Sequence, residues 1–210
     1  MNNTKERILH VSRVLFNENG YKNVTIRMIA LKLNMSSGNL NYHYKKREDI
    51  LEALYFQMVT VFDERIEKLG TEKITLSKMQ NDVHSSISRM IDYKFFWTDL
   101  YNLLSLNLTI KEHFDTVYEH RKCGLEFVLN EFTTASILKP FTFEFERNNL
   151  IEQMVNFGNT WLYASSLYAT NKLTPEYINT QTSALMAYLY PYLTDSGKNE
   201  FKQLFPSYFN

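Results

Sequence analysis

Thr25 to Asp49, with the sequence TIRMIALKLNMSSGNLNYHYKKRED, is the stretch that decides the fold of this chain. The hydroxyl of Thr25 predicts a helix N-cap. The apolar residues that follow it repeat at helical spacing, which places them on one face of a short helix: Ile26, Ile29, Ala30 and Leu33. Asn34 predicts a turn, because asparagine enters the left-handed backbone region at low cost. Ser36 then predicts the N-cap of a second helix over 37–43.

The second helix has Leu40 as its only aliphatic residue and is otherwise polar. It is too short and too polar to belong to a core. Hydroxyl and amide side chains can read base edges or donate to phosphate, and a helix N-terminus attracts phosphate. Three cations follow at 45–47, where counterion release adds affinity for any DNA sequence. Taken alone, the segment could also be a polar surface helix followed by a solvated charge run.

Residues 1–51 resemble the N-terminal domain of the TetR (tetracycline repressor) family of bacterial transcription regulators. Residues 8–51 carry the pattern ILxxSxxLFxxxGYxxVTIRxIAxxLxMSxGNLxYHYKxxEDIL. The resemblance implies a three-helix DNA-binding head in which Tyr42, His43, Lys45 and Thr25 grip phosphate, while Ser37, Asn39 and Asn41 face base edges. The full set of expected DNA contacts is Thr25, Arg27, Ser36, Ser37, Gly38, Asn39, Asn41, Tyr42, His43, Lys45 and Lys46.

Three residues depart from the family pattern. Asn41 stands where the family usually has tyrosine, and Asn34 stands where it often has glycine. Lys46 stands where a serine or asparagine normally caps the fourth helix, and we expect its cap to be weaker by about 1 kcal/mol. Glu48 and Asp49 should partly compensate, because acidic side chains are favourable in the first turn of a helix.

The charge of the chain is unevenly distributed, although the 210 residues are neutral overall. Residues 1–50 contain nine Lys and Arg against four Asp and Glu, a net charge of +5, so the other 160 residues carry −5. A basic head on an acidic body is typical of a modular nucleic-acid binder, because only one face has to approach phosphate.

Composition bounds the remaining possibilities. With 44% hydrophobic and 15% aromatic residues the chain can bury a sizeable core. Its single cysteine, Cys123, excludes an intramolecular disulfide, and we expect a buried, inert thiol there. A secretory leader is not recognisable, so we expect a cytoplasmic protein.

The apolar periodicity predicts an all-α chain. The TetR resemblance implies its organisation, which is a three-helix DNA-binding head with a helix-turn-helix at 1–50, followed at 51–210 by a helical bundle that binds effector and dimerises. The first helix should begin at Asn3 and stop at Gly20, and Phe141 to Phe145 is expected to be a loop, with a brief strand as the alternative. Further helices are predicted over 47–69, 76–93, 95–106, 109–138, 147–169, 175–190 and 198–205.

Two windows in the body, 153–171 and 177–194, contain no charged residue. They hold too many polar side chains to span a membrane. They are therefore buried either within one bundle or against a second copy of the chain. The TetR resemblance implies the second arrangement, a homodimer formed through the helices near 147–169 and 175–190.

Enzyme motifs are missing from the sequence. It has no G-x-S-x-G, G-x-G-x-x-G or G-x-x-x-x-G-K-[ST], so no catalytic residue and no cofactor is predicted. No metal is predicted either. His113 and His120 lie on one expected helix beside Glu112, Asp115 and Glu119, which could gather a metal, but ordinary polar positions are the simpler interpretation.

The body is also expected to bind a small hydrophobic or aromatic effector, since the TetR family generally carries an effector pocket behind the head. Aromatic and polarizable side chains with a few hydroxyl and indole groups suit such a pocket, although aromatic stripes at helical spacing are usually plain core. The candidates are Met58, Phe62, Met90, Tyr93, Trp97, Tyr101, Phe114, Tyr118, Phe157 and Trp161.

The sequence thus predicts a ligand-responsive transcription regulator, a repressor released from a near-palindromic double-stranded operator by its effector. The alternative is a helical effector-binding protein whose head contacts another protein instead of DNA.

Overall fold

A computed structural model describes residues 4–67, 73–168 and 173–209, with the backbone alone at 61–67. Within these ranges the chain forms eleven α-helices and no β-strand, so the predicted all-α class is confirmed. No helix in the described ranges is long and apolar enough to cross a bilayer. The helices are α1 (Thr4–Asn19), α2 (Ile26–Lys32), α3 (Ser37–His43), α4 (Arg47–Glu67), α5 (Leu76–Asp92), α6 (Lys94–Thr98), α7 (Leu100–Leu106), α8 (Leu108–Thr134), α9 (Glu144–Ser166), α10 (Pro175–Ala187) and α11 (Asp195–Leu204).

The chain divides into two compact units. The first comprises Met1–Glu64 and Asp92–Phe114, and the second comprises Arg65–Ile91 and Asp115–Asn210. Helices α1 to α3, α6 and α7 thus belong to the first unit, whereas α9 to α11 belong to the second. The predicted division into functional domains at residues 1–50 and 51–210 stays a prediction, because these units are defined by contact and not by function.

Within the first unit, the guanidinium of Arg47, the first residue of α4, binds the connection between α1 and α2. Its Nη1 donates to the backbone carbonyls of Tyr21 (3.0 Å), Lys22 (3.3 Å) and Val24 (2.7 Å). The guanidinium also lies 4.1 Å from the centre of the Tyr21 ring, a cation–π contact. Because Val24 immediately precedes the N-cap of α2, one side chain fixes the end of the α1–α2 connection against the start of α4.

Lys46, the residue before α4, has no capping hydroxyl. The carboxylate of Asp49 instead accepts a hydrogen bond from the backbone N–H of Lys46 at 3.1 Å. This contact is one half of a capping box. The expected compensation by the acidic first turn is therefore observed for Asp49, while Glu48 accepts a hydrogen bond from the Tyr21 hydroxyl at 3.3 Å.

Helix α1 ends at Gly20, as predicted, where φ is +77°. Asn17, near its end, is bound to the segment that joins α5 to α6. The Asn17 amide donates to the carbonyl of Asp92 (2.9 Å), and its oxygen accepts from the backbone N–H of Phe95 (3.0 Å). The Phe16 and Phe95 rings lie 5.2 Å apart beside these bonds. Residues 92–95 are therefore part of the scaffold that supports α1 in the first unit.

The second unit has a core built from α5, α8, α9, α10 and the segment that follows α10. Its members are apolar residues with little or no exposed surface: Leu76, Met79, Leu129, Phe132, Leu150, Ile151, Met154, Val155, Met186, Leu189, Leu193, Phe201 and Phe205. At one edge Gly197 is buried, and a Cβ there would collide with the carbonyl of Ile137. A glycine is required at this close approach of two backbone segments.

Several predicted helix ends are wrong, and tertiary contacts explain them. Helix α8 ends at Thr134 and not at Leu138, because Ser136 takes a left-handed conformation (φ +57°) and Leu138 pairs with Leu193 in an isolated bridge. The predicted helix over 95–106 is two helices, α6 and α7, that meet at Asp99. Helix α9 begins three residues earlier than predicted, at Glu144, and 141–143 are non-helical.

Cys123 is exposed on α8, so the expectation of a buried thiol is wrong. Its position on a half-exposed helix of 27 residues explains the error. Composition alone assigns cysteine to the interior, whereas the periodicity of this long helix determines which of its faces reaches solvent.

The Tyr21 phenol leads to a testable prediction about the stability of the folded protein at alkaline pH. Burial raises the pKa of Tyr21 to about 12, the Arg47 guanidinium opposes this rise, and the Glu48 carboxylate adds to it. Between about pH 10 and about pH 12 the unfolded chain loses this proton while the folded chain keeps it, so the free energy of unfolding should fall as the pH rises.

Urea unfolding of wild type and Tyr21→Phe across this pH window isolates the contribution of the Tyr21 phenol, because this is the one titrating group that the variant lacks. We expect the stability difference between the two proteins to shift in favour of Tyr21→Phe as the pH rises. Tyr42→Phe, which removes an exposed hydroxyl from the same head, is the matched control for loss of a phenol. A pH-independent offset between wild type and Tyr21→Phe would contradict the prediction.

Candidate DNA interface and effector region

Helices α2 and α3 form the predicted helix-turn-helix, and both of their expected caps are present. The Thr25 hydroxyl oxygen accepts from the backbone N–H of Met28 at 3.2 Å, and that of Ser36 accepts from Asn39 at 3.1 Å. Between the helices Asn34 takes the predicted left-handed conformation, with φ +54°. Each cap uses its hydroxyl oxygen as an acceptor, so the O–H proton stays available to a phosphate oxygen.

Helix α3 rests on the head through one residue. Leu40 has no exposed surface, whereas Gly38, Asn39, Asn41 and Tyr42 are exposed, with Tyr42 at 85%. The polar side chains of α3 therefore lie on its outer surface and make no core of their own. This exposure is what a helix that inserts into a groove requires.

Gly38 serves no packing role within the described structure. A Cβ built at this position would meet only the hydroxyl of Ser36, at 3.9 Å, which is ordinary van der Waals contact. The backbone there does not need glycine for a left-handed conformation either, since Gly20 alone among the described glycines has a positive φ. The absence of a side chain at position 38 therefore leaves the backbone at the start of α3 open on the outer surface.

The other predicted DNA-contacting residues surround this helix. Arg27, Lys45 and Lys46 are exposed, and Ser37 and His43 are half-buried. The Tyr42 and His43 rings lie edge to face with their centres 5.3 Å apart. All eleven residues thus lie on α2 or α3, at the N-caps of these helices, or in the loop that leads to α4, and each is at least partly accessible to solvent. Their assignment to DNA contacts stays a prediction.

Six of the predicted effector residues belong to the first unit. Met58, Tyr93 and Trp97 are almost completely buried there, and the Tyr93 hydroxyl donates to Gln57 at 3.1 Å. The Trp97 ring packs near Phe114, with 6.4 Å between ring centres. Tyr101 differs from the others because it is 83% exposed on α7. The Phe62 side chain lies outside the described residues.

The four remaining effector residues belong to the second unit, and each packs on a neighbour there. The buried Trp161 indole donates to the sulfur of Met90 at 3.3 Å. The Tyr118 hydroxyl donates to Glu152 at 2.9 Å, and this hydrogen bond is the main cause that raises the pKa of Tyr118. Phe157 lies edge to face with Tyr188 at 6.0 Å.

Two surface clefts of the second unit are lined by other residues. One, of about 550 Å³, lies among α5, α10 and the C-terminal segment, with polar side chains such as Gln80, Asn179 and Ser207. The other, of about 390 Å³, is bounded by Ala184 and Ala187 of α10 and by C-terminal aromatic rings. Sequence reasoning did not find either cleft, because both depend on where the last forty residues fold back.

The histidine cluster considered as a metal site does not assemble within the described residues, where no group of three His, Cys, Asp or Glu side chains could hold a metal ion. His113 instead shares a hydrogen bond of 3.0 Å with the Tyr55 hydroxyl and packs edge to face on the Tyr55 and Phe56 rings. Its role in the described structure is to join the start of α8 to α4.

Sequence analysis missed the structural role of Arg47 and a cleft in the head. Arg47 was grouped with the cations of the loop, although its guanidinium is turned inward to three carbonyls. The cleft, of about 420 Å³, lies between α1 and the turn after α2 and is lined in part by Arg7, His10 and Lys32. The excess of basic residues in the head was the available signal for it.

Comparison with known proteins agrees with this geometry. Residues 8–54 match the family model described as bacterial regulatory proteins of the tetR family, and residues 57–201 match the model described as a bacterial transcriptional repressor. The HTH-type transcriptional regulator QacR of Staphylococcus aureus is 22% identical over 186 residues, which cover 76% of this chain and 97% of QacR.

Solved structures show the same fold. A TetR-family transcriptional regulator from Marinobacter aquaeolei superposes with a TM-score of 0.88 at 22% identity, covering 98% of both chains. SmeT, the repressor of a Stenotrophomonas maltophilia multidrug efflux pump, superposes with a TM-score of 0.66 at 14% identity, covering 92% of both chains. Since a family model spans residues 57–201 and a second spans the head, the resemblance predicted from the sequence is confirmed, and the chain belongs to the TetR family of bacterial transcription regulators.

Proposed function

We propose that this regulator is a repressor whose two heads bind successive major grooves of a near-palindromic operator and whose release is driven by a small hydrophobic or aromatic effector. The observation that carries the DNA-binding part is the outer surface of α3. It offers amide and hydroxyl groups, is anchored by the buried Leu40, and has a glycine at 38 that the protein's own packing does not require.

The chemistry of α3 divides its proposed contacts into two kinds. Asn39 and Asn41 carry amides that can pair with two atoms of an adenine edge, and Ser37 can bond either kind of base edge. Thr25, Tyr42, His43 and Lys45 carry donors suited to phosphate oxygens. Base contacts would give sequence preference, and phosphate contacts would give register and salt-dependent affinity.

Gly38→Ala separates the stability of the head from its affinity for DNA. Alanine should raise helix stability by about 0.5–1 kcal/mol, since position 38 lies inside α3 and has room for a Cβ. The same methyl group should weaken operator binding, because it holds the backbone away from the duplex. Thermal unfolding and fluorescence anisotropy on one protein preparation measure both effects.

Ser77→Ala, on an exposed position of α5, is the matched control for a small substitution in the second unit. Unchanged or tighter DNA affinity of Gly38→Ala would show that α3 does not approach the duplex closely. Steep weakening of wild-type binding with salt would in turn exclude the alternative in which the head contacts only protein.

The proposed dimer rests on the outer face of α9. From residue 153 onward the exposed residues of this face follow helical spacing and include no charge: Gln153, Asn156, Thr160, Tyr163 and Ala164 on α9, and Leu167 immediately after the helix. Tyr163 and Leu167 are 51% and 60% exposed, which is unusual for large apolar side chains on one helix face. Pairing of this face and that of α10 with the same helices of a second copy would bury it in a four-helix interface.

Thr160→Glu tests the dimer without disturbing the isolated chain. Thr160 is exposed in the middle of this face, and its hydroxyl donates to the Asn156 carbonyl of the same helix at 2.7 Å, so the substitution should be tolerated in a monomer. In the proposed interface the charge would lie unpaired and desolvated, at a cost of several kcal/mol. Analytical ultracentrifugation should then show monomers for Thr160→Glu and dimers for the control Thr160→Ala. A dimeric Thr160→Glu protein would place the interface elsewhere.

The proposed release mechanism acts through α4, which runs unbroken from Arg47 to Glu67. Its first residue binds the carbonyls that precede α2, so a shift of α4 would move the helix-turn-helix. The effector must bind the conformation with low DNA affinity more tightly. By linkage, effector and operator then lower each other's affinity by the same factor, roughly 5–150-fold.

The two tryptophans allow this coupling to be measured. Trp97→Phe and Trp161→Phe each leave a single indole, one in the second unit and one in the first. Titration with a panel of small aromatic compounds should change the fluorescence of at least one variant and release labelled operator over the same concentration range. A compound that saturates the fluorescence change and leaves operator affinity unaltered would contradict the coupling.

A further inference from the structure

The cleft between α1 and the turn after α2 has the chemistry of an anion site. Its volume is about 420 Å³, and its lining consists of Glu6, Arg7, His10, Val11, Lys32, Leu33 and Asn34. Arg7 and Lys32 come from different helices and are both exposed, and neither makes an ion pair with another residue in the described part of the chain. Two permanent cations thus face one opening with their charge uncompensated except by Glu6.

Neutral donors supplement these cations. Asn34 is exposed in the left-handed turn, and its side-chain amide can donate two hydrogen bonds. His10 is exposed on α1, one helical turn after Arg7, and offers a ring N–H. A planar guanidinium with several N–H donors nearby is suited to the tetrahedral oxygens of a phosphate.

The position of the cleft connects it to the proposed operator. Asn34 precedes the N-cap of α3, Ser36, by two residues, a distance of at most about 7 Å along an extended chain. Phosphates follow one another at about 3.4 Å per strand along the duplex axis. A strand that passes the N-terminus of α3 therefore brings another phosphate near the cleft within about two or three nucleotides.

We propose that this cleft binds a backbone phosphate of the operator, outside the base pairs that α3 reads, with Arg7 and Lys32 as its principal ligands. The inference rests on the proposed DNA-binding function and extends it to α1, to which no DNA contact was assigned above. Glu6 opposes the phosphate by like charge. The cleft thus sets the affinity for flanking DNA without adding sequence preference.

A duplex-length experiment tests the assignment. The probe is a duplex recovered by wild-type protein from a random library, made either blunt at the last selected base pair or extended by about one helical turn (~10 base pairs) on each side. Dissociation constants are measured by anisotropy over a range of salt concentrations for wild type, Arg7→Gln, Lys32→Gln and Glu6→Gln. Lys22→Gln is the matched control, because it removes one exposed cation of the same head whose side chain lies outside the cleft.

On the extended duplex, Arg7→Gln and Lys32→Gln should each weaken binding roughly tenfold, as expected for the loss of a hydrogen bond to a charged group. Each should also make the slope of log affinity against log salt less negative by about 0.9. Glu6→Gln should tighten binding to the same duplex. On the blunt duplex, which lacks the phosphate, these three variants should bind like wild type, and Lys22→Gln should have the same effect on both lengths.

Two results would overturn the assignment while leaving the proposed function intact. Equal effects of Arg7→Gln and Lys32→Gln on both duplexes, of the size seen for Lys22→Gln, would show that the cations act only through the general field of the head. If inorganic phosphate at constant ionic strength binds the cleft, detected by shifts of the His10 ring resonances, and leaves length dependence unaffected, the cleft is a site for free phosphate. Failure of wild type to retain any duplex would instead refute the proposed function and this inference together.

Discussion

The architecture of the DNA-binding head depends on one guanidinium. Arg47 stands at the start of α4 and binds three carbonyls between Tyr21 and Val24, which fixes the point where α2 can begin. Removing part of a charged group from water is costly unless the group is hydrogen-bonded, and for the half-buried Arg47 the carbonyl oxygens together with the Tyr21 ring supply that compensation. The helix-turn-helix is consequently positioned by its two ends, with α3 contributing little more than Leu40 to the core.

Most of the head could be predicted from the sequence because its signals are local. The caps at Thr25 and Ser36, the left-handed turn at Asn34 and the stop at Gly20 each depend on one residue and its immediate neighbours. The direction of the Arg47 side chain could not be predicted in this way. A cation in a row of three reads as a solvated charge run, and only the folded arrangement shows that one of them is turned inward.

The helix ends of residues 51–210 were predicted less accurately from the sequence, because contacts between residues distant in sequence determine where these helices end. Helix α8 ends before Ser136 because the segment at 137–139 hydrogen-bonds with the backbone of 192–194. The Thr194 hydroxyl also donates to the carbonyls of Ser136 and Ile137. The aromatic residues predicted to bind effector illustrate a further limit. Composition marks Trp97 and Trp161 as candidates, but the same burial and ring packing serve a core equally well.

The two sides of α3 thus differ in their roles. Its inner side needs one leucine for stability, which leaves the amides of the outer side available for recognition. That separation is the central claim, and binding-site selection from a random duplex library tests it most directly. Asn39→Ala and Asn41→Ala should each change the preferred base at one position, by about 1–3 kcal/mol where the amide pairs with adenine. Lys45→Ala should weaken all sequences alike. Preferences identical to wild type for both asparagine variants would contradict the claim that α3 reads the bases.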